Sequence, residues 1–302
     1  MELSTKDVTL NRNKFIGGSE IAIILGQSRY STPYELWATK TGRIPPKNLD
    51  NNEAVQLGNK LEDFVAKLFT EKTGKAVRKA PKVYQHPDYP FLVAHIDRLI
   101  TNSDELLEIK TCNASKNKEW ENDIPQEYIY QVIYYLGITG KKRGWLCCLI
   151  GGQKFDYKVI DFDKTLFELM VKKAIEFWDM VQKDIPPAVK SGDNEILDLV
   201  FPKTTEEMIE NNELEDLVAY RQELSMHIEE MQKEKEEIEA QLKEYIGERL
   251  GFYTLKYQVT WKTQSNKRLN TALLKQDYPE IFNDYVQENS FKVLRINKRK
   301  EI

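Results

Sequence analysis

Two spacings of apolar residues alternate along this 302-residue chain, and each predicts a different kind of element. Recurrence every three or four positions marks helices. Leu57, Leu61, Val65, Leu68 and Phe69 stripe Glu53–Thr73, which Gly74 closes, and Phe167, Val171, Ile175 and Trp178 stripe Lys164–Lys183. A shorter helix is expected at 21–25, between Gly17-Gly18 and Gly26. Another runs from the capping sequence Thr32-Pro33-Tyr34-Glu35 to Gly42 with its aromatic residues in the core, and a third covers 126–136. Apolar and β-branched runs bounded by turn residues predict strands at 91–101 and 106–112, joined by Asn102-Ser103-Asp104. Two more are predicted at 144–150 and 155–160, split by Gly151-Gly152, while 82–90 reads as a loop or edge strand. This order predicts an α/β domain over residues 1–189, a mixed sheet flanked by helices that ends at Pro186-Pro187.

Beyond a linker at 190–203 the pattern changes. Leu217, Leu224, Met231, Ile238 and Tyr245 recur every seven residues, with Leu214, Ile228 and Leu242 in the complementary positions and Arg221 and Lys235 interrupting them. Capped by Thr204-x-x-Glu207, a coiled-coil-like helix over 204–250 would be roughly 65 Å long at 1.5 Å per residue. It either pairs with another subunit, packs as a hinged arm, or lies on its own domain. A small α+β region is expected at 251–302, with strands at 252–262 and 291–296 and a helix at 271–288.

Charge sharpens this division. The net charge of −4 is unpromising for a nucleic-acid-binding protein, but residues 206–249 hold 15 acidic and 5 basic side chains, so the remainder carries +6. Residues 252–302 carry 10 basic and 5 acidic side chains, a net of +5 that suits DNA or a protein partner equally. Three cysteines, two of them adjacent at Cys147 and Cys148, form neither a ligand spacing nor a disulfide framework, which suggests a reducing, intracellular setting. Three histidines without metal-ligand spacing argue against zinc. The opening MELSTKDVTL has no signal character, and the longest apolar run, near 145–150, is far too short to span a bilayer.

Candidate chemistry lies in the 91–112 hairpin. Side chains alternate along a strand, so Glu108 and Lys110 share one face while Leu107 and Ile109 take the other. Asp97, in the preceding strand, falls on the face of Glu108. A half-buried pair of carboxylates is costly, and a divalent cation offsets that cost. Hard oxygen ligands suit Mg²⁺ or Mn²⁺, and two carboxylates with a lysine suit phosphodiester cleavage. A surface hairpin with an ordinary Glu/Lys pair would carry the same three residues. His95 shares the face of Asp97, where it either touches DNA or the metal's outer shell or sits as a hydrogen-bonded neutral imidazole. Ser19 precedes the apolar run at 21–25, either as a simple helix cap or as a phosphate contact. Lys116, Lys118 and Trp120, in the polar segment 113–125, suit a nucleic-acid backbone or a solvated loop.

Asp97 followed by Glu108-x-Lys110 resembles the PD-(D/E)xK nuclease motif. The stretches IGGSEIAIILGQSRYSTPYELWATKTGR (16–43), LGNKLEDFVAKLF (57–69) and QEYIYQVIYYLGITG (126–140) are similar to those of YqaJ-type viral recombinases, relatives of phage lambda exonuclease. Four blocks in that order are more specific than one, and the resemblance covers residues 15 to 187. It implies a restriction-endonuclease-like core in which Asp97 and Glu108, with the Ile109 carbonyl, bind Mg²⁺, with Mn²⁺ able to substitute. It further implies that Lys110 positions the nucleophilic water, that Glu62 and Gln131 support metal and water, and that Tyr135, in a Q-x-x-x-Y pattern with Gln131, supports the site. Ser19 and Arg29 would hold the 5′-phosphate of a DNA end. One departure is visible: relatives often have glycine or another small residue after the aspartate, whereas this chain has Arg98, near the site or turned away.

The reading that follows is a Mg²⁺-dependent deoxyribonuclease. The resemblance implies 5′-to-3′ digestion of linear double-stranded DNA, exposing single strands for recombination through a single-strand annealing protein. It also implies a ring-like homo-oligomer of phage or prophage origin in a bacterial cytoplasm, with no membrane partner. An endonuclease on the same core, and a non-catalytic DNA-binding or scaffold protein acting through the coiled coil, are the alternatives.

Overall fold

The structure is a computed structural model that describes residues 11–48, 51–122, 124–288 and 291–299. The N-terminal decapeptide read for a signal lies outside them. In chain order the first unit, Met1–Thr204, contains α1 (Gly18–Ile24), α2 (Pro33–Lys40), α3 (Glu53–Thr73), β1 (Val77–Lys79), β2 (Tyr84–Gln85), β3 (Val93–Ala94), β4 (Arg98–Ile100), β5 (Glu105–Cys112), α4 (Asn117–Asn122), α5 (Gln126–Thr139), β6 (Arg143–Ile150), β7 (Lys154–Asp161), α6 (Lys164–Lys183) and α7 (Asn194–Val200). Five strands form one mixed sheet in the order β1-β4-β5-β6-β7, in which β5 and β6 are parallel and the other neighbours antiparallel. A parallel pair needs a crossover, and α5 supplies it.

Both faces of β5 and β6 are covered. Leu107, Ile109, Cys147 and Leu149 pack with Val65, Ala66 and Phe69 of α3, whereas Leu106, Leu146, Cys148 and Ile150 pack with Val132, Leu136 and other residues of α5 and with α6. Helix ends follow local chemistry. Gly74 and Gly140 close α3 and α5 with φ of 70° and 69°, and Asp163 caps α6 by accepting the Leu166 N–H at 2.9 Å. Gly151 and Gly152, at φ of 58° and 70°, allow the tight β6–β7 hairpin. Not all of the predicted α3 stripe is inward, since Leu57 is 54% exposed.

Several expectations change. The strand expected over 91–101 breaks into β3, which pairs with β2, and β4, which pairs with β5, so Asp97 lies in the break rather than mid-strand. Ser19 is not a helix cap: α1 begins at Gly18, and Glu20 accepts the Gly17 N–H at 3.0 Å. The supposed linker contains α7 and is tied down by buried Asp193, which accepts from the Lys190 N–H at 2.6 Å and from the Thr32 hydroxyl. The first unit therefore continues past residue 189.

The second unit, Thr205–Ile302, holds α8 (Glu215–Ile246), β8 (Gly251–Tyr253), β9 (Gln258–Thr260), α9 (Thr271–Asp277) and α10 (Pro279–Tyr285). The long helix starts eleven residues after Thr204, behind a turn capped by Asn211, because its apolar seam has no member before Leu214. β8 and β9 form an antiparallel hairpin, and Pro279 splits the helix expected over 271–288 by barring helical geometry at Tyr278. No strand forms over 291–296. No helix among the described residues is long and apolar enough to cross a membrane.

Close approach of α5 to α6 depends on Gly137, where an added Cβ would lie 2.2 Å from Phe167 Cδ2. Gly137→Ala is expected to destabilise the first unit by about 1–3 kcal/mol, measured by urea unfolding. An unchanged midpoint would contradict this packing.

Candidate active site

Strand parity and one crossover helix build the site. Glu108 and Lys110 leave β5 on the face opposite Leu107 and Ile109 and meet α5. Lys110 Nζ lies 2.6 Å from Glu108 Oε1 and donates to Gln131 Oε1 at 3.0 Å. Gln131 Nε2 in turn donates to Glu108 Oε1 at 2.7 Å and to the Tyr135 hydroxyl at 2.9 Å. Gln131 and Tyr135 are one helical turn apart, so both can serve the same face. Tyr128, three residues before Gln131, places its ring centroid 5.1 Å from Lys110 Nζ. α1 completes the wall at Gly18, where a Cβ would meet Tyr135 Cε1 at 2.3 Å. Next in the chain, Ser19 is exposed beside this contact.

Asp97 enters from the break between β3 and β4, and its Oδ2 accepts the Ile109 N–H at 2.8 Å. Burial, reinforced by the Glu108 charge, pushes the Asp97 carboxyl up to about 8. Burial alone would lower the Lys110 pKa, but Glu108 and Asp97 outweigh it and hold the amine above its ordinary range. Glu108 is buried, and its Oε2 accepts no hydrogen bond. A buried oxygen left in this way is costly unless something else binds it. Two carboxyl groups beside one ammonium, with a proton on Asp97 that a cation can displace and an orphaned oxygen on Glu108, form a donor set that fits a hard divalent cation.

Among the described residues no three His, Cys, Asp or Glu side chains gather tightly enough to hold a metal by themselves, because Glu62 of α3 is bonded to Arg98. His95 stays exposed two residues ahead of Asp97. Arg29 is not an open phosphate ligand: it pairs with Glu119 and bonds Glu127 Oε1 through Nε at 3.2 Å and Nη2 at 2.9 Å. Trp120 is only 1% exposed and stacks on Tyr128 with ring centroids 5.9 Å apart, so it belongs to the core rather than to a nucleic-acid surface. Lys116 pairs with Glu119 at 3.3 Å.

Two contributors were not assigned from the sequence. Tyr128 could have been found from its i,i+3 spacing to Gln131. The place of Arg98 follows from register: paired with Leu107, it takes the face of Leu107, where α3 lies.

Comparisons with known proteins find relatives of this chain in sequence and in fold. A family model described as the YqaJ-like viral recombinase domain matches residues 9–142. The uncharacterized protein YqaJ of Bacillus subtilis (strain 168) is 36% identical over 304 residues, spanning 96% of this chain and 93% of that protein. Among solved structures, an alkaline exonuclease (LHK-Exo) from Laribacter hongkongensis superposes with a TM-score of 0.50 at 20% identity, covering 60% of this chain and 94% of that one. LHK-Exo in complex with dAMP also gives 0.50 at 20% identity, covering 64% and 96%. The likeness to these two structures is one of fold: a mixed sheet flanked by helices.

The Asp97 environment gives a pH-dependent stability with a definite sign. Its raised carboxyl contributes stability that is complete below the unfolded value near 4 and is lost as pH rises through about 8. In buffer free of divalent cations, urea unfolding between about pH 5 and 8.5 should show the wild type losing at least about 1 kcal/mol relative to Asp97→Asn. Parallel pH profiles for the two proteins would reject this environment.

Proposed function

Because the chain belongs to the YqaJ-like viral recombinase domain family, we propose that it is a metal-dependent deoxyribonuclease, an exonuclease that digests linear double-stranded DNA from its 5′ ends. The observation that carries this reading is the Asp97–Glu108–Lys110–Gln131 constellation, with Glu108 Oε2 buried and unbonded. Asp97, Glu108 and the Ile109 carbonyl would hold Mg²⁺, for which Mn²⁺ can substitute. When bound, the cation supplies Lewis-acid polarisation of the scissile phosphoryl oxygen and a lowered pKa for a bound water.

The chain's own residues do the rest. Lys110, fixed between Glu108 and Gln131 and lying against the Tyr128 ring, presents a protonated amine that orients the attacking water and offsets charge developing on the phosphate. Gln131, held by Tyr135, keeps Glu108 Oε1 and the amine in register. Ser19 offers its hydroxyl to the terminal 5′-phosphate, and Arg29 joins it by exchanging Glu119 and Glu127 for phosphate oxygens. Degradation of one strand leaves the other for a single-strand annealing protein. The subunits act as a ring-like homo-oligomer in the cytoplasm of a phage-bearing bacterium. The exposed seam of α8, from Leu217 to Tyr245, forms a coiled coil with another copy.

Linear duplexes with 5′-phosphorylated or unphosphorylated ends, and covalently closed circles, incubated with Mg²⁺ provide the test. The expected result is release of nucleotides from phosphorylated linear DNA and intact circles. Cleavage of the circles would replace the exonuclease with an endonuclease, and digestion from 3′ ends would reverse the polarity. Lys110→Ala should lower the rate at least about 100-fold while DNA binding persists. An equal rate would remove Lys110 from the chemistry.

A further inference from the structure

Arg98 follows Asp97 directly, yet it is only 4% exposed and makes bonds that no other cation of the site makes. Its register partner is Leu107, so it points to the α3 face, away from Glu108 and Lys110. There Nη1 bonds the Glu62 carboxylate and the Asp97 carbonyl oxygen, the latter at 2.6 Å, and Nη2 bonds Asp63 Oδ1 at 2.5 Å. A buried guanidinium is costly unless its donors are satisfied, and its planar fork accepts partners only in set directions. The Glu62 and Asp63 side chains are 34% and 65% exposed, so water can solvate either carboxylate without Arg98. The restraint is therefore one-sided. Arg98 needs both acids, whereas Glu62 is released once Arg98 is gone, and Asp63 keeps its pairing with Lys79 at 3.3 Å.

We propose that Arg98 is a positioning residue that holds Glu62 outside the coordination shell of the divalent cation, so that Asp97 and Glu108 are its only carboxylate ligands. This rests on the metal-site reading given above. For Glu62 to become a ligand it would have to leave a charge-assisted bond to a buried guanidinium, which then loses one of its three oxygen partners. The bond to the Asp97 carbonyl also ties that restraint to the backbone carrying a proposed ligand. Two carboxylates instead of three leave more coordination positions for phosphate oxygens and water, in keeping with the usual habit of Mg²⁺. The nearby guanidinium also weakens the local field that attracts the cation. Arg98 thus trades resting metal affinity for an open site.

The test is Mn²⁺ binding to the full chain without DNA, read from the electron paramagnetic resonance signal of free Mn²⁺. Glu62→Gln should leave Kd within about twofold of wild type, because a group outside the shell contributes little, whereas Asp97→Asn or Glu108→Gln should abolish binding. Arg98→Met should tighten binding on the order of tenfold by freeing Glu62 and removing a cation, and Arg98→Met/Glu62→Gln should lose that gain. A merely structural role would move Kd the other way. Folded Arg98→Met that binds Mn²⁺ no better than wild type overturns the assignment, as does a tenfold loss of affinity in Glu62→Gln alone. The Glu62→Gln result decides the matter by itself if Arg98→Met does not fold. Wild type that binds no Mn²⁺ overturns the metal-site reading and this assignment with it, whereas failure in the variants alone leaves that reading standing.

Discussion

Everything at the site depends on β5 being buried on both faces while carrying charge on one of them. Leu107 and Ile109 anchor the strand to α3, and this fixes the parity that turns Glu108 and Lys110 toward α5. A one-residue slip would bury the charges against Val65 and Phe69 and put leucine and isoleucine at the site. Sheet register here is therefore also site geometry. The parallel partner β6 reinforces it, because Leu146 and Cys148 stand beside Glu108 and Lys110 and face the same core.

The second constraint is electrostatic. Burial favours neutral groups, yet the site gathers two carboxyl groups and an ammonium, with Lys110 bonded to Glu108 and Asp97 bonded to the Ile109 N–H between them. Part of the imbalance is met locally, through Lys110, Gln131 and the Ile109 N–H, and part is left as the raised Asp97 carboxyl and the unbonded Glu108 oxygen. Polar strain of this kind is found where a protein prepares for a charged ligand rather than where it optimises its core. On the other face of the sheet, Arg98 satisfies its own charge with Glu62 and Asp63, so opposite solutions to one problem lie on either side of Asp97.

Small residues make the walls fit. Gly18 lets α1 rest on Tyr135, and Gly137 lets α5 rest against Phe167, so the C-terminal half of α5, which carries the glutamine and tyrosine beside Glu108, is held by both α1 and α6. Trp120, which suits a nucleic-acid surface by residue type, instead stacks on Tyr128, whose ring lies against Lys110.

Periodic spacing and turn chemistry by themselves determined α3 and α6 to the residue, the Gly151-Gly152 hairpin, and the shared face of Glu108 and Lys110, because these depend on neighbours a few positions apart. The heptad seam determined that a long helix follows the first unit. That Asp193 anchors α7 and that Asp97 sits in a gap between two short strands were decided by partners far away in the chain. The same holds for Arg29, whose phosphate-like environment turns out to be two carboxylates about a hundred residues away, and for Arg98, whose direction follows from strand register but whose partners come from α3. Local pattern sets which face a side chain takes. Only tertiary packing brings to that face the charge or apolar surface that gives the side chain its role.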